Sequence, residues 1–318
     1  MKYFTRRMSS LVPTLLLVSV IIFALMRILP GDVALMVLIG PDGQGNPTTA
    51  ELATVRAELG LDRPLIVQYA TWLGGIARLD VGKSLWSGEP VFQELFKRIP
   101  LSLELGLFAS VIALMISLPL GILAAVKRGT WIDYVARIFA LGGLSVPTFW
   151  VGVLVILLLV TYWGWTAPLG YVGPLQNPWT NFQQLIFPAL ALGYAEAALM
   201  SRLVRSSLLE VMREDYVRTA RSKGLKEQNV IIHHALRNAL LPVITVLGIS
   251  LAGIVGGTVV METVFNLPGV GRYMVDAINH RDYPVVQTLT FMYAFVYAIS
   301  NLTVDLVYAV IDPRIRLS

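Results

Sequence analysis

The chain of 318 residues has no cysteine and only three histidines. The lack of cysteine excludes disulfide bonds and metal sites built on thiolates. His233 and His234 are adjacent, which places them about 100° apart on a helix, and His280 is isolated. Because a helical zinc motif needs two histidines four residues apart on one face, the sequence carries no such motif. We therefore predict that the chain binds no metal.

Charged residues are also scarce, at 14% of the chain against 56% hydrophobic residues, and the mean hydropathy is +0.68. The uncharged runs are long enough to cross a bilayer, and they cover residues 8–26, 105–126, 138–195, 239–261 and 285–304. Glycines and prolines between Gly164 and Pro178 divide the third run into two spans. The sequence thus predicts an all-α integral membrane protein with six transmembrane helices.

The nucleotide-binding motifs are incomplete. Gly82-Lys83-Ser84 resembles the end of a phosphate-binding loop, but the motif requires a glycine at position 77, where the chain has Ala77. Gly269-Val270-Gly271 lacks the third glycine of a dinucleotide-binding motif, because Met274 occupies its position. We therefore predict that this chain is not an enzyme and binds no cofactor of its own.

The basic residues indicate the orientation in the membrane. With the N-terminus in the cytoplasm, 16 of the 25 lysines and arginines fall on the cytoplasmic side, although the longest loop lies outside. We expect both termini in the cytoplasm, residues 1–27 as the N-terminus and span one, 28–103 as a periplasmic region, and 104–318 as a core with a cytoplasmic loop at 205–238. The net charge of +5 reflects this asymmetry rather than nucleic-acid binding.

A polar, basic segment at 210–242 stands out between two apolar runs. The spacing of Leu209, Met212, Tyr216 and then Thr219 or Ala220 predicts a helix with these side chains on one face. Lys223 and Gly224 predict its end, because glycine accepts the left-handed conformation and lysine favours the carbonyl end. A second helix is predicted from about Glu227 towards Pro242. The segment should lie outside the membrane and meet a partner there.

Arg-Thr-Ala-Arg-Ser-Lys-Gly at 218–224, with Leu-Pro at 241–242, resembles the "EAA" loop of permease subunits in bacterial binding-protein-dependent ABC importers. Arg218 and Thr219 replace the first two residues of that motif, as in the dipeptide and oligopeptide branch. The resemblance extends to the first permease subunit of that branch at Leu29-Pro30-Gly31-Asp32, Leu59-Gly60-Leu61-Asp62-Arg63-Pro64-Leu65 with Gln68-Tyr69, Asn266-Leu267-Pro268-Gly269-Val270-Gly271, Arg281-Asp282-Tyr283-Pro284 and Asp312-Pro313-Arg314.

The resemblance implies a multi-pass subunit of the bacterial cytoplasmic (inner) membrane. It implies a second homologous permease, two cytoplasmic ATPase subunits that carry ATP and Mg, and an extracytoplasmic solute-binding protein that delivers peptides or similar small polar solutes. The loop would be the coupling helix that sits in a groove of the ATPase. The residues so assigned are Glu214, Asp215, Tyr216, Val217, Arg218, Thr219, Ala220, Arg221, Ser222, Lys223, Gly224 and Leu225.

Polar and small residues within the spans are candidates for the translocation pathway. Glu196 lies within span four, where an unpaired charge costs at least ~2.5–3.5 kcal/mol. It therefore lines the path, pairs with Arg202 or makes a polar contact at the interface. Glu262, at the outer end of span five, is expected at the membrane interface. Ser145 and Pro147 belong to a break in span three, and Gly253 and Gly257 are glycines of span five. These residues either allow close helix packing or form a wall of the pathway.

Two other function classes are compatible with a multi-span protein. A secondary transporter or channel would need no ATPase, but it should show intramembrane charge relays or inverted repeats, and we find few of the former and no clear repeat. A membrane-embedded hydrolase would need a nucleophile and a base within the spans, and the span residues offer no such arrangement. The periplasmic region serves either as a structural cap or in docking the solute-binding protein.

The predicted orientation can be tested by labelling, because the chain lacks cysteine. We expect residue 220 to be cytoplasmic and residue 50 periplasmic. A single cysteine at position 50 should react with an impermeant thiol reagent in intact cells, and one at position 220 should not. Labelling at 220 but not at 50 would overturn the orientation.

Overall fold

A computed structural model describes residues 2–28, 32–39, 47–166, 168, 170–252 and 254–311. In chain order, its α-helices are α1 Lys2–Ile28, α2 Val33–Ile39, α3 Thr49–Glu58, α4 Leu65–Arg78, α5 Val91–Val126, α6 Trp131–Ser145, α7 Thr148–Trp163, α8 Pro178–Val211, α9 Asp215–Ser222, α10 Glu227–Asn229, α11 Leu236–Ala239, α12 Leu241–Ala252, α13 Ile254–Gly257, α14 Val259–Val264, α15 Val270–Asn279 and α16 Tyr283–Ile311. A π-helix, Val230–Ala235, joins α10 to α11. In this described part, β pairing is limited to one bridge between Lys83 and Pro90, so the predicted all-α class is confirmed.

Four helices are long and apolar enough to cross a membrane: α1, α5, α8 and α16. Two bent pairs raise the number to as many as six, namely α6 with α7 at 103° and Glu227–Ala239 with Leu241–Ser250 at 47°. The first bend confirms the predicted interruption at Ser145-Val146-Pro147. Val146 is extended because the following proline disfavours helical backbone at the residue before it, and Pro147 then opens α7.

The chain divides into two compact units, and the first comprises Met1–Pro100 and Gly269–Ser318. In this unit α1 packs along α16, and α4 packs on α1. Tyr69 and Trp72 of α4 form an aromatic cluster with Phe23 and Phe291, and the Tyr69 hydroxyl lies 2.7 Å from Ser19 Oγ. The aromatic contacts thus attach part of the predicted periplasmic region to the long helices.

Several of the sequence motifs prove to be chain corners. Gln68 Nε2 donates to the carbonyls of Leu61 and Arg63 at 2.9 and 2.7 Å, which fixes the corner between α3 and α4. Asp282, buried at the start of α16, accepts hydrogen bonds from the Ser84 hydroxyl and from the Leu85 amide at 3.2 Å. The side chains of Gln68 and Asp282 thus stabilise these corners by hydrogen bonds to neighbouring parts of the chain. The motif at 312–314 lies outside the described residues.

The second unit, Leu101–Pro268, is held together by close helix contacts. Gly143 of α6 faces α8 so closely that an added Cβ would overlap Ala198 Cβ. A Cβ at Gly193 would lie 2.7 Å from the Ala109 carbonyl oxygen. The core between the helices is formed by these buried apolar residues: Leu101, Leu105, Ala109, Leu185, Ala189, Ala191, Met261, Phe265 and Leu267. Small residues therefore set the approach of the helices, as in other membrane proteins.

A pair of glycine substitutions tests this packing. We expect Gly143→Ala to destabilise the chain by about 1–3 kcal/mol, because the new methyl group meets Ala198. Gly256→Ala, at a helical glycine with open space around it, should be neutral or stabilising by about 0.5–1 kcal/mol. The free energy of unfolding in mixed micelles measures both. Equal effects of the two substitutions would contradict the assigned packing.

Candidate functional site

The candidate site is the segment between α8 and α12, where the polar sequence at 210–242 folds into a compact unit. The long helix α8 ends at Val211, and a turn leads to α9, Asp215–Ser222. Val217 and Ala220 are the buried residues of α9. The predicted common face is only partly correct. Leu209 and Met212 pack against the cluster that contains Ala220, whereas Tyr216 is 41% exposed. The turn interrupts the helix and shifts its phase by one residue.

Val217 and Ala220 anchor α9 to the surrounding helices. They belong to one cluster of buried side chains, whose other members come from the end of α5, from α8, from the π-helix and from α11: Ala125, Leu208, Val230, Ile231, Ala235 and Ala239. Half of the cluster is alanine, so the backbones can approach closely. Helix α9 packs against the π-helix and shares the cluster with Leu208 of the long helix α8. We call this set the anchoring cluster.

Arg221 closes the segment from within. Its guanidinium donates to the Glu227 carboxylate at 2.8 and 3.1 Å and to the Met212 carbonyl at 3.3 Å. One side chain therefore ties the turn before α9 to the start of α10. Glu227 raises the pKa of Arg221, which keeps the arginine charged. This internal role could not be read from the motif, because Glu227 lies six residues further along the chain.

Gly224 confirms the predicted stop after the first helix. Its φ is +77°, in the left-handed region, and its amide donates to the Arg221 carbonyl at 2.9 Å. Lys223, at the C-cap, donates from its amide to the Thr219 carbonyl at 3.1 Å. A β-carbon at Gly224 would meet nothing within 4 Å, so the backbone conformation alone requires the glycine.

The outer face of α9 is exposed and carries charges of both signs. We define it by these residues: Glu214, Asp215, Tyr216, Arg218, Thr219, Ser222, Lys223 and Leu225. Arg218 has one long contact, 3.4 Å to Asp215, and both side chains are mostly exposed. The Tyr216 hydroxyl accepts a hydrogen bond from Asn238 Nδ2 at 2.8 Å. Polar groups with two apolar side chains among them form a surface suited to a protein partner.

The π-helix was not predicted. It runs over Val230–Ala235, where the apolar pattern of Val230, Ile231 and Ala235 is compatible with any helix type. Short π-helical turns inside α-helices occur often at functional sites. Here the π-helix orients Val230 and Ile231 into the anchoring cluster, while His233 and His234 remain exposed.

The predicted pathway residues lie at separate places in the second unit. Ser145 and Pro147 are exposed at the bend between α6 and α7, and Gly257 is exposed with open space around its Cα. Gly253 lies outside the described residues. Glu196 is half-buried on α8, with no ion pair to Arg202 in the described part of the chain. Its Oε2 atom is buried, and the neighbouring Ser110 hydroxyl does not complete a hydrogen bond to it.

Glu262 is not an interface residue, contrary to the expectation from its position at the end of an apolar run. Its side chain is fully buried, and its carboxylate accepts hydrogen bonds from Ser102 at 2.6 Å and from Thr258 at 2.7 Å. Ser102 lies far away in the sequence, so hydropathy alone could not reveal this contact. Glu262 thereby joins the start of the second unit to its end.

Comparison with known proteins agrees with this architecture. Residues 117–317 match the family "Binding-protein-dependent transport system inner membrane component", and residues 1–106 match the N-terminal family of such membrane components. The dipeptide transport system permease protein DppB of Escherichia coli K12 is 40% identical, over 99% of each chain. A putative peptide transport system permease protein of Brucella abortus is 41% identical over 98% of each chain.

The solved structures of the MetNI methionine ABC transporter share the fold. An inward-facing form has a TM-score of 0.54 at 18% identity and covers 69% of this chain and 96% of that chain. These comparisons show that the protein belongs to the family of inner-membrane components of binding-protein-dependent transport systems. It is thus a multi-pass permease subunit of an ABC importer and not itself an enzyme.

The left-handed turn after α9 yields a prediction with a matched control. Gly224→Val should strain the backbone by about 1 kcal/mol or more and loosen the segment, whereas asparagine tolerates this conformation better. We expect trypsin to cleave the 205–238 loop fastest in Gly224→Val, more slowly in Gly224→Asn and slowest in the unchanged protein. Identical cleavage rates would show that the segment does not depend on this turn.

Proposed function

We propose that the chain forms one half of the translocation pathway for peptides or similar small polar solutes, and that α9 docks into a cytoplasmic ATPase subunit. One observation carries the proposal. Helix α9 exposes its outer face, while Val217 and Ala220 of its inner face are buried in the anchoring cluster with residues of the π-helix and with Leu208 of α8. A partner that moves α9 should therefore displace this cluster, which includes the end of a helix long enough to cross the membrane.

The transmission relies on stiffness in the segment itself. The Arg221–Glu227 pair prevents the turn before α9 and the start of α10 from separating, so α9 and the π-helix move as one body. Closure of two ATPase subunits around ATP and Mg would displace this body and shift the spans between outward and inward openings. Such a shift requires an element with two discrete arrangements.

A second homologous permease would complete the pathway. Gly257 has open space around it and Ser145 and Pro147 are exposed, as expected for residues that a partner or a solute contacts. Glu196 is the pathway candidate with chemical function, because its buried Oε2 lacks a completed hydrogen bond. An extracytoplasmic solute-binding protein would deliver the substrate, and the six-span topology would place both termini in the cytoplasm. The names of the relatives support peptides as the substrate class.

The outer face and the internal pair can be tested separately through ATP hydrolysis by the reconstituted complex with loaded solute-binding protein. Arg218→Glu should reduce stimulated hydrolysis several-fold, since it reverses a charge on the docking surface. Lys127→Glu, an exposed charge outside the segment, is the matched control and should have little effect. Equal losses in both variants, together with poor membrane insertion, would instead mean that Arg218 serves only the charge asymmetry of the loops.

Arg221→Glu should also reduce stimulated hydrolysis. The reason differs from that for Arg218→Glu, because loss of the Arg221–Glu227 pair should open the loop. The exchange variant Arg221→Glu with Glu227→Arg restores opposite charges and should recover much of the activity. Arg218→Glu should not be rescued by Glu227→Arg. Wild-type stimulation and uptake in both Arg218→Glu and Arg221→Glu would contradict a coupling role for α9, and a channel or secondary transporter would then be the better account.

A further inference from the structure

A cavity of about 620 Å³ lies between α6 and α8. Four arginines line it, together with exposed leucines: Arg128, Arg137, Arg202, Arg205, Leu141 and Leu199. Every lining residue belongs to the second unit. A cavity with several guanidinium groups and an apolar wall needs explanation in a protein where only 14% of the residues are charged.

The carboxylate of Asp133 pairs with two of these four arginines. Asp133, with a fully buried side chain, accepts from Arg205 at 2.7 and 3.0 Å, from Arg137 Nε at 3.2 Å and from the Gly129 amide at 3.0 Å. Arg128 and Arg202 have no ion pair among the described residues. Asp133 therefore holds two guanidinium groups in place, and the cavity retains an excess of positive charge.

The charges and the apolar side chains are separated along the helices. Asp133 of α6 pairs with Arg205 of α8, whereas Gly143 of α6 meets Ala198, so the two helices run antiparallel. Arg128, in the turn before α6, marks one end of the cavity. Leu141 and Leu199 lie towards the other end, further from that turn. The cavity is thus polar at the turn and apolar in the direction of the membrane interior.

Aromatic side chains flank the polar end. Trp131, at the start of α6, is 73% exposed, and Tyr134 is exposed one turn later, with the Arg137 guanidinium 5.3 Å from its ring centre. Exposed tryptophan and tyrosine are typical of the level of the lipid headgroups. Aromatic and cationic side chains lie at one end of the cavity and apolar side chains at the other. This arrangement matches a phospholipid, whose charged headgroup is followed by apolar acyl chains.

We propose that this cavity binds an anionic phospholipid, with the phosphate among the arginines and an acyl chain along Leu141 and Leu199. Basic pockets between transmembrane helices recognise such headgroups. A free phosphate ion would use the arginines but not the exposed leucines. An acidic segment of a partner protein would not account for the apolar wall. The proposal requires only that the chain lies in a bilayer, and it is independent of the coupling role of α9.

Native mass spectrometry of the protein and its co-purifying subunits, extracted from nanodiscs of mixed phosphatidylcholine and phosphatidylglycerol, tests the proposal. Phosphatidylglycerol should be retained over phosphatidylcholine by the unchanged protein. The double variant Arg128→Gln with Arg202→Gln should reduce this preference about 30-fold, which is about 2 kcal/mol at 1.4 kcal/mol per factor of ten. Neither residue pairs with Asp133, so the fold should be kept, and thermal stability in detergent checks this.

The matched control removes two positive charges outside the cavity. Lys226→Gln with Arg237→Gln changes two exposed basic residues outside the cavity and should leave the lipid preference unchanged. Equal retention of the two lipids by the unchanged protein, or equal effects of the two double variants, would overturn the proposal. Displacement of the lipid by inorganic phosphate would also overturn it. The same holds if replacement of Arg128 and Arg202 releases a co-purifying subunit while the lipid stays bound.

Discussion

The burial of Val217 and Ala220 in the anchoring cluster, beside residues of the π-helix and Leu208 of α8, is the interaction on which the proposed role of α9 depends. A polar helix at the membrane surface gains little from its own backbone, because helices this short are unstable in isolation. Burial of the side chains of Val217 and Ala220 fixes α9. The Arg221–Glu227 pair and the left-handed turn at Gly224 fix the chain that follows it. In the proposed function, a force on the exposed face of α9 would therefore act on the whole anchoring cluster.

Buried carboxylates organise the rest of the chain. Asp133 holds two arginines between α6 and α8, Glu262 accepts from Ser102 and Thr258, and Asp282 accepts from Ser84 and from backbone amides. Each carboxylate joins segments that are apart in the sequence, and each accepts at least two hydrogen bonds. Such bonds are needed because an unsatisfied buried charge is strongly unfavourable. A few buried carboxylates thus fix how these helices pack. Apolar contacts alone would define that packing less uniquely.

Local signals in the sequence predicted the parts of the fold that depend on local physics. Proline at 147 and glycine at 224 act through their own backbones, so the bend after α6 and the stop after α9 were predictable. The phase of Tyr216, the pairing of Arg221 and the burial of Glu262 depend on partners elsewhere in the chain, and periodicity or hydropathy carries no information about them. The roles of Glu196 and Gly257 depend in addition on neighbouring subunits and stay predictions.

Cross-linking from the outer face of α9 tests the central claim most directly. Thr219 is exposed on that face, and the chain has no other cysteine to compete with one introduced there. A Thr219→Cys variant carrying a thiol-attached photo-crosslinker should form an adduct with a cytoplasmic ATPase subunit, while the same probe on Thr54→Cys, exposed on α3, should not. Absence of the adduct from position 219 in a complex that still contains the ATPase, or an adduct from position 54 instead, would contradict the account.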